Sequence, residues 1–390
     1  MNTTVYILSA KRTPIGSLLG NAAEFSVSDL GAAVIQASLT AAAIDSNSID
    51  EVFMGCVLPA GVGQAPARQA AIKAGLAESI PAVTISKVCG SGMRSVMFGA
   101  DAIKAGTNQI VIAGGMESMS NAPYLLTKAR TGYRLGHGTV YDHTFIDGLE
   151  DAYTPGVLMG AFADHCALNH HISREAQDAF ALESLNRVKA AQVAHAFDAE
   201  MVPLLKNNGF LMMEDEQPGR AKPEKIPLLK PAFGTNGTVT AANASSISDG
   251  AAALVLASEA FVIEHHLKPL AKILGHSSFA QKPSEFTTAP IGAIKALLTK
   301  LNWTVADVDL FEINEAFAVV TLVTIDTLQL DPLKVNVNGG ACALGHPLGA
   351  SGARIIVTLL HALKHRGLTH GIATLCIGGG EATAIALELC

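Results

Sequence analysis

Three features of the sequence predict an α/β fold. Short apolar runs of strand length alternate with longer stretches of helical period along most of the chain. The same order of signals returns about 260 residues later, as a duplicated unit would give. The 390 residues are 49% hydrophobic with 36 glycines, enough apolar side chain to cover a central sheet on both faces.

The elements follow in order. Val5-Tyr6-Ile7-Leu8 reads as a strand, and Val27 to Ala43 as a helix with Ser26 or Ser28 as its N-cap. Glu51 to Val57 is the next strand, Ala67 to Ala74 a short helix stopped by Gly75, and Ile80 to Ser86 a further strand. That strand runs into Val88-Cys89-Gly90-Ser91-Gly92 and a helix over Met93 to Ile103; Ile110 to Gly115 is a fully apolar strand. Three segments then recur in order. Gly31 with Ile49–Met54 corresponds to Gly292 with Val308–Ile313, and Ser91-Gly92-Met93-Arg94 to Ser351-Gly352-Ala353-Arg354. Ile112 to Gly115 corresponds to the run from Leu375 to Gly380. Two copies of one α/β half are expected. Between them, from about Ser120 to Ala244, turn clusters interrupt a single long helical pattern that starts at Ser173 and ends near Ala196. This insert reads as a loop domain lying over the site. Ser248 to Leu256 returns to the first half as an added strand.

Composition excludes several classes of function. Lys and Arg total 27 against 34 acidic residues, for a net charge of -7, and aromatics are 5%, so neither a basic stripe nor a base-stacking platform is expected. No apolar run reaches the roughly 18–20 residues of a membrane span. Met1-Asn2-Thr3-Thr4 leads into the first strand without the pattern of a secretory signal. Six cysteines lie scattered without framework spacing and read as reduced thiols, which points to the cytoplasm. His165, His170 and His171 crowd near Cys166, but their spacing does not put ligands on one helix face, and no metal site is expected.

Chemistry concentrates in four loops, three of them glycine-rich. Cys89 stands between a strand and a helix start, where the helix dipole should lower a thiol pKa and favour the nucleophilic thiolate. His346 lies in Gly345-His346-Pro347, and an imidazole can take a thiol proton near neutral pH. Cys376 precedes Gly378-Gly379-Gly380, whose backbone N–H groups could face an oxyanion, and Asn314 follows an apolar strand. Taken singly, each has a plainer reading as a packing or turn residue; spacing does not prove that they converge. Glu117, after Gly114-Gly115, reads as a structural carboxylate rather than a catalyst.

Together these loops resemble the thiolases over essentially the whole chain. Lys11 to Gly16 is similar to the family's opening strand and turn, and Val88 to Gly92 resembles its nucleophile motif. Asn314-Glu315-Ala316-Phe317, Gly345-His346-Pro347 and Cys376 to Gly380 resemble its other active-site loops, and Gly114 to Tyr124 is similar to the biosynthetic members. The resemblance implies two halves with central mixed sheets stacked in layers. The first would be residues 1–118 and 248–268, the second 269–390, with 119–247 as a loop domain that binds coenzyme A. It implies reversible Claisen condensation of two acetyl-CoA to acetoacetyl-CoA and CoA through an acetyl group on Cys89. His346 would be the base and Cys376 the second thiol. His346 with a water held by Asn314 would form one oxyanion hole, and the N–H groups of Cys89 and Gly378 the other. Ser245, Phe233 and Ala241 would meet the pantetheine chain, Ala316 and Phe317 would wall the tunnel, and Leu149 and Met159 would lie near the acyl end, with Phe286 nearby. Arg220 would reach the nucleotide phosphates. No cofactor beyond the CoA thioester is implied, and a homodimer or a tetramer of paired dimers is. Leu158 stands where many biosynthetic members carry His. A degradative 3-ketoacyl-CoA thiolase of broader chain length is the alternative within the family. A ketoacyl-carrier-protein synthase is disfavoured by the second thiol at Cys376.

Overall fold

Runs of apolar residues build a sheet most of whose strands are buried on both faces; the edge strand Ala82–Ile85 and the far end of Ala271–Ala280 are more open. The computed structural model describes residues 3–390; Met1 and Asn2, part of the leader to the first predicted strand, lie outside the described residues. The principal strands are β1 (Val5–Arg12), β2 (Glu51–Gly55), β3 (Ala82–Ile85), β4 (Ile110–Ser118), β5 (Ser248–Ser258), β6 (Ala271–Ala280), β7 (Leu310–Ile313), β8 (His370–Ile377) and β9 (Glu381–Leu389). They hydrogen-bond in the order β7-β8-β9-β6-β1-β5-β4-β2-β3. At the centre, Val5–Ile7 of β1 pair antiparallel with Ala271–Ile273 of β6.

Outward from that seam the two halves repeat each other. β1 is followed by antiparallel β5, antiparallel β4, then parallel β2 and β3. β6 is followed by antiparallel β9, antiparallel β8, parallel β7, and a parallel bridge from Phe311 to Val335 where β3 would stand. The hydrogen-bonded path is therefore continuous through three residue pairs, although each half is a mixed sheet of its own.

Helices layer these sheets. Those of the first half are α1 (Val27–Ala42), α2 (Pro66–Lys73) and α3 (Ser91–Lys104), and the insert carries α4 (Met159–Asn169) and α5 (Arg174–Val193). The second half adds α6 (Ala289–Leu301), α7 (Ala318–Leu328) and α8 (Leu348–Arg366). α3 and α8 share one core with both sheets, which makes them the middle layer. α1 and α2 cover the outer face of the first sheet, and α6 that of the second. α8 is buried on every side from Leu348 to Leu363, as a helix sandwiched between two sheets must be. The Ser-Gly pair of each copy lets the two central helices touch. A Cβ on Gly92 would come within 2.8 Å of the Gly349 carbonyl, and one on Gly352 would strike the backbone of Met93.

Local signals mostly placed these elements well. Ser26, not Ser28, caps α1, and its hydroxyl pairs reciprocally with Asp29 in a capping box. Ser173 caps α5. Two expectations need correction. The insert holds a second helix, α4, which the sequence does not announce because Leu158 at its N-cap supplies no side-chain acceptor. The glycines of β4 and β8 are also not equivalent. Strand register sets Gly114 against Met54 but Thr374 against Ile313, so Gly114 matches Thr374 rather than the Gly378–Gly380 turn. Gly114 and Gly115 admit close backbone neighbours, whereas Gly379 and Gly380 are needed for positive φ, at 93° and 87°.

Candidate active site

The middle helices and the ends of their strands meet beneath the insert, and there a cavity of about 480 Å³ opens. Its wall includes Cys89, His346, Cys376 and Gly378, so residues more than 250 positions apart in sequence meet in one space.

Cys89 is held by a strained turn. Val88 before it has φ 44°, an uncommon conformation for a β-branched residue. Ser91 secures that turn: its hydroxyl donates to the Val88 carbonyl at 2.7 Å and accepts from the Lys87 N–H at 2.8 Å. The expected low thiol pKa is not what this position produces. Burial pushes the Cys89 thiol up to about 11, outweighing the N–H groups of Gly378 and Cys89 that favour the thiolate. A half-buried neutral thiol of this kind needs a base.

His346 is that kind of base. Ser351 donates its proton to the Pro347 carbonyl at 2.8 Å, so toward His346 Nδ1, at 2.5 Å, its oxygen can only accept. Nδ1 therefore carries the ring proton, and Nε2 keeps its lone pair. Nε2 is buried and has no hydrogen-bond partner. Burial, with the Arg354 cation adding to it, lowers the imidazole to about 3 and keeps it neutral. Gly345, at φ 108°, makes the turn that presents the ring; a Cβ there would overlap Ser248.

Cys376 stands one residue before the end of β8 and is buried, in an apolar cluster with Phe162, Phe286 and Phe317. Burial first, and Cys89 next, push its thiol well above the ordinary range. Phe233, Ala241, Ser245, Met159, Leu149, Ala316 and Phe317 all line the cavity, as do Leu158 and Phe286. The Ser245 hydroxyl donates to the Ala316 carbonyl at 3.0 Å, leaving its oxygen free to accept.

Two predicted residues stand off the wall. Asn314 is fully buried behind it, its Oδ1 3.4 Å from Arg354 Nη2 and its Nδ2 without a partner. Arg220 is exposed beside the cavity, 3.0 Å from Glu216, in an adjoining groove with Lys222 and Lys225. That groove shares Gln217, Ala241 and Ser246 with the cavity. Sequence reasoning missed Met119 and Leu348, which also line the wall. Their proximity to Glu117 and His346 in the chain was the available signal.

Buried carboxylates brace the loops. Glu117 accepts from the N–H groups of Val57, Leu58 and Gly349 at 3.0, 3.1 and 2.7 Å, and burial raises it to about 7. It ties the end of β4 to the loop after β2 and to the start of α8. Glu315 accepts from Ser184, Asn336 and the Cys342 N–H, fixing the loop that carries Asn314.

Comparison with known proteins agrees with this architecture. Residues 5–260 match the thiolase N-terminal domain and residues 267–389 the thiolase C-terminal domain. The chain is 51% identical to the acetyl-CoA acetyltransferase of Escherichia coli, over 98% of both chains. It is 47% identical to that of Schizosaccharomyces pombe, over 100% of this chain and 99% of the other. A crystal structure of the Acat5 thiolase of Ascaris suum in complex with coenzyme A superposes with a TM-score of 0.95 at 45% identity, covering 99% of this chain and 100% of that one. Matched by both thiolase domains and by these relatives along its full length, the chain belongs to the thiolase family of acyltransferases.

Proposed function

We propose that the chain is an acetyl-CoA C-acetyltransferase that condenses two acetyl-CoA to acetoacetyl-CoA and CoA, reversibly. The observation that carries the reading is one cavity holding two neutral thiols, Cys89 and Cys376, and an imidazole whose Nε2 is free to take a proton.

In the first half-reaction His346 Nε2 takes the Cys89 proton and the sulfur attacks the thioester carbon. The N–H groups of Cys89 and Gly378 receive the charge that develops on oxygen. The C–S bond to CoA breaks, and the leaving thiolate takes the Cys376 proton. Acetyl-Cys89, an imidazolium and a Cys376 thiolate remain. In the second, Cys376 removes a C2 proton from a new acetyl-CoA. The enolate oxygen is met by the Nε2–H of His346 and by a water on Asn314 Nδ2. The enolate carbon attacks acetyl-Cys89, the Cys89–acyl bond breaks, and the imidazolium returns its proton to Cys89. Every proton is back where it began.

The substrate is a CoA thioester, and its pantetheine would pass Ser245, Phe233 and Ala241. Its phosphates would lie toward Arg220, with Lys222 and Lys225 adding positive charge to the same groove. Residues 119–247 act in this reading as the domain that covers the site, and 1–118 with 248–268 and 269–390 as the two halves. We further place the protein in the cytoplasm as a homo-oligomer. No helix of the described residues is long and apolar enough to cross a membrane, and all six cysteines are free.

This reading expects a short acyl chain, and Leu149, Met159, Phe286, Phe317 and Leu348, which line the cavity with apolar bulk, support it. Thiolysis measured against chain length tests this: acetoacetyl-CoA should be the best substrate, with rates falling steeply toward C8. Rates that stay flat or rise with length would replace this reading with the broad-range degradative one.

A further inference from the structure

The second half of the fold carries a buried ion pair that the first half does without. Glu312 on β7 and Arg354 on α8 meet at 2.8 Å, with side chains 2% and 3% exposed. In the duplicated unit their counterparts are Phe53 on β2 and Arg94 on α3, by strand order and by the Ser-Gly-x-Arg match. There Phe53 packs against the central core, and the Arg94 guanidinium lies over the Phe98 ring at 4.2 Å instead of pairing with an acid. The same strand–helix unit therefore folds with an aromatic where Glu312 stands. A buried pair seldom adds net stability over well-packed apolar side chains, so its presence in one copy calls for another reason.

That reason stands two residues further along the chain. Asn314 follows Glu312 past the end of β7, and Arg354 reaches both: Nη1 to Glu312 and Nη2 to Asn314 Oδ1 at 3.4 Å. A guanidinium only donates, so the end of the amide that faces it must be the carbonyl oxygen. Nδ2 is then left pointing away, buried and unpartnered. Without that constraint a carboxamide can turn over and present its oxygen, which would repel an enolate.

We propose that Arg354, anchored by Glu312, is a positioning residue that locks the Asn314 carboxamide with Nδ2 as its free end. The proposal rests on the reading of Asn314 as an oxyanion donor for the enolate. It predicts an effect on condensation and thiolysis but not on acylation of Cys89, which uses the other oxyanion hole.

The test is a cycle of variants on the full-length enzyme. Glu312→Gln with Arg354→Met removes both charges together, so neither is orphaned, and Arg354→Lys keeps the charge while losing the fork. Single-turnover acylation of Cys89 by acetyl-CoA should stay within about 3-fold of the parent in Arg354→Lys, which keeps the cation near His346. It should fall by no more than about 3-fold in the charge-free pair, where loss of that cation leaves His346 a stronger base. The kcat for condensation should fall by about 100-fold in the charge-free pair, as for loss of one oxyanion donor, with KM little changed. Arg354→Lys should fall by about 10-fold, because a point charge holds the oxygen without fixing the plane. In an Asn314→Ala background the same changes should cost less than about 3-fold more, since the residue they position is gone. If Asn314→Ala leaves condensation intact, the oxyanion reading of Asn314 falls, and this proposal with it. If Asn314→Ala slows condensation but the Arg354 losses multiply with it, or strike acylation equally, positioning alone is overturned. Should the charge-free pair fail to fold, Arg354→Lys in both backgrounds decides the same question.

Discussion

Replacing Ser351 by alanine should disarm the base without touching either thiol. The Ser351 oxygen is the acceptor for His346 Nδ1–H at 2.5 Å, and its own proton is committed to the Pro347 carbonyl. Alanine leaves a buried Nδ1–H with no partner, a defect worth about 1–3 kcal/mol. The ring can escape part of that cost by moving its proton to Nε2, where the Cys89 proton has to go. The loss then appears as fewer base-competent rings and a looser ring, and 1.4 kcal/mol is tenfold in rate. Acylation should slow by about 10–100-fold, while CoA affinity changes by less than about 3-fold because Ser351 does not line the cavity. Stopped-flow acylation by acetyl-CoA, with CoA binding measured by calorimetry, reads both. Acylation within twofold of the parent would refute the tautomer assignment and with it the route of the Cys89 proton.

Other expectations follow from the buried groups. His346 is lowered to about 3 from an ordinary 6.5, so in between the unfolded chain holds a proton that the folded one does not. Stability from this group is complete above pH 6.5 and is lost as pH falls, by up to about 1.4 kcal/mol per unit. Urea unfolding between pH 4 and 8 should show a steeper slope in the parent than in His346→Ala, since His276 and His361, also lowered by burial, contribute to both; equal slopes would contradict a buried neutral ring. By the same assignment the rate of Cys89 acylation should show no limb near pH 6.5, whereas a limb there would mark an ordinary histidine. Glu117→Gln would face an amide N–H₂ against at least one of three backbone N–H donors, at about 1–3 kcal/mol. It should lower Tm and slow turnover, since Gly349 opens the helix next to His346; an unchanged Tm would count against the brace.

How legible the site was depended on whether a residue's surroundings are local. Cys89, His346, Cys376 and Gly378 stand in short glycine-rich loops at strand or helix ends, which is a signal within a few residues, and all four line the cavity. The repeat was legible because the two copies keep the same order of strands and the Ser-Gly pair that lets α3 touch α8. What stayed hidden is set by tertiary contact. Nothing near Arg354 in sequence says that it points inward at Asn314 while Arg94 lies over Phe98. Nothing near Glu117 announces three donors from two other loops. The thiol expectation failed for the same reason: a helix start is visible in sequence, but the burial that overrides it is not. α4 was missed because its apolar residues pack on a surface the chain builds later, and its start has no capping side chain.

The division of labour between the two thiols is the central claim, and trapping the first intermediate tests it most directly. Cys376→Ser protein mixed with acetyl-CoA and quenched should yield, by peptide mass spectrometry, one acetyl group on the peptide carrying Cys89. That adduct should persist, because no thiolate remains to generate the enolate. An acetyl group found elsewhere would contradict the assignment of Cys89 as nucleophile, and an adduct that goes on to acetoacetyl-CoA would contradict Cys376 as the second base.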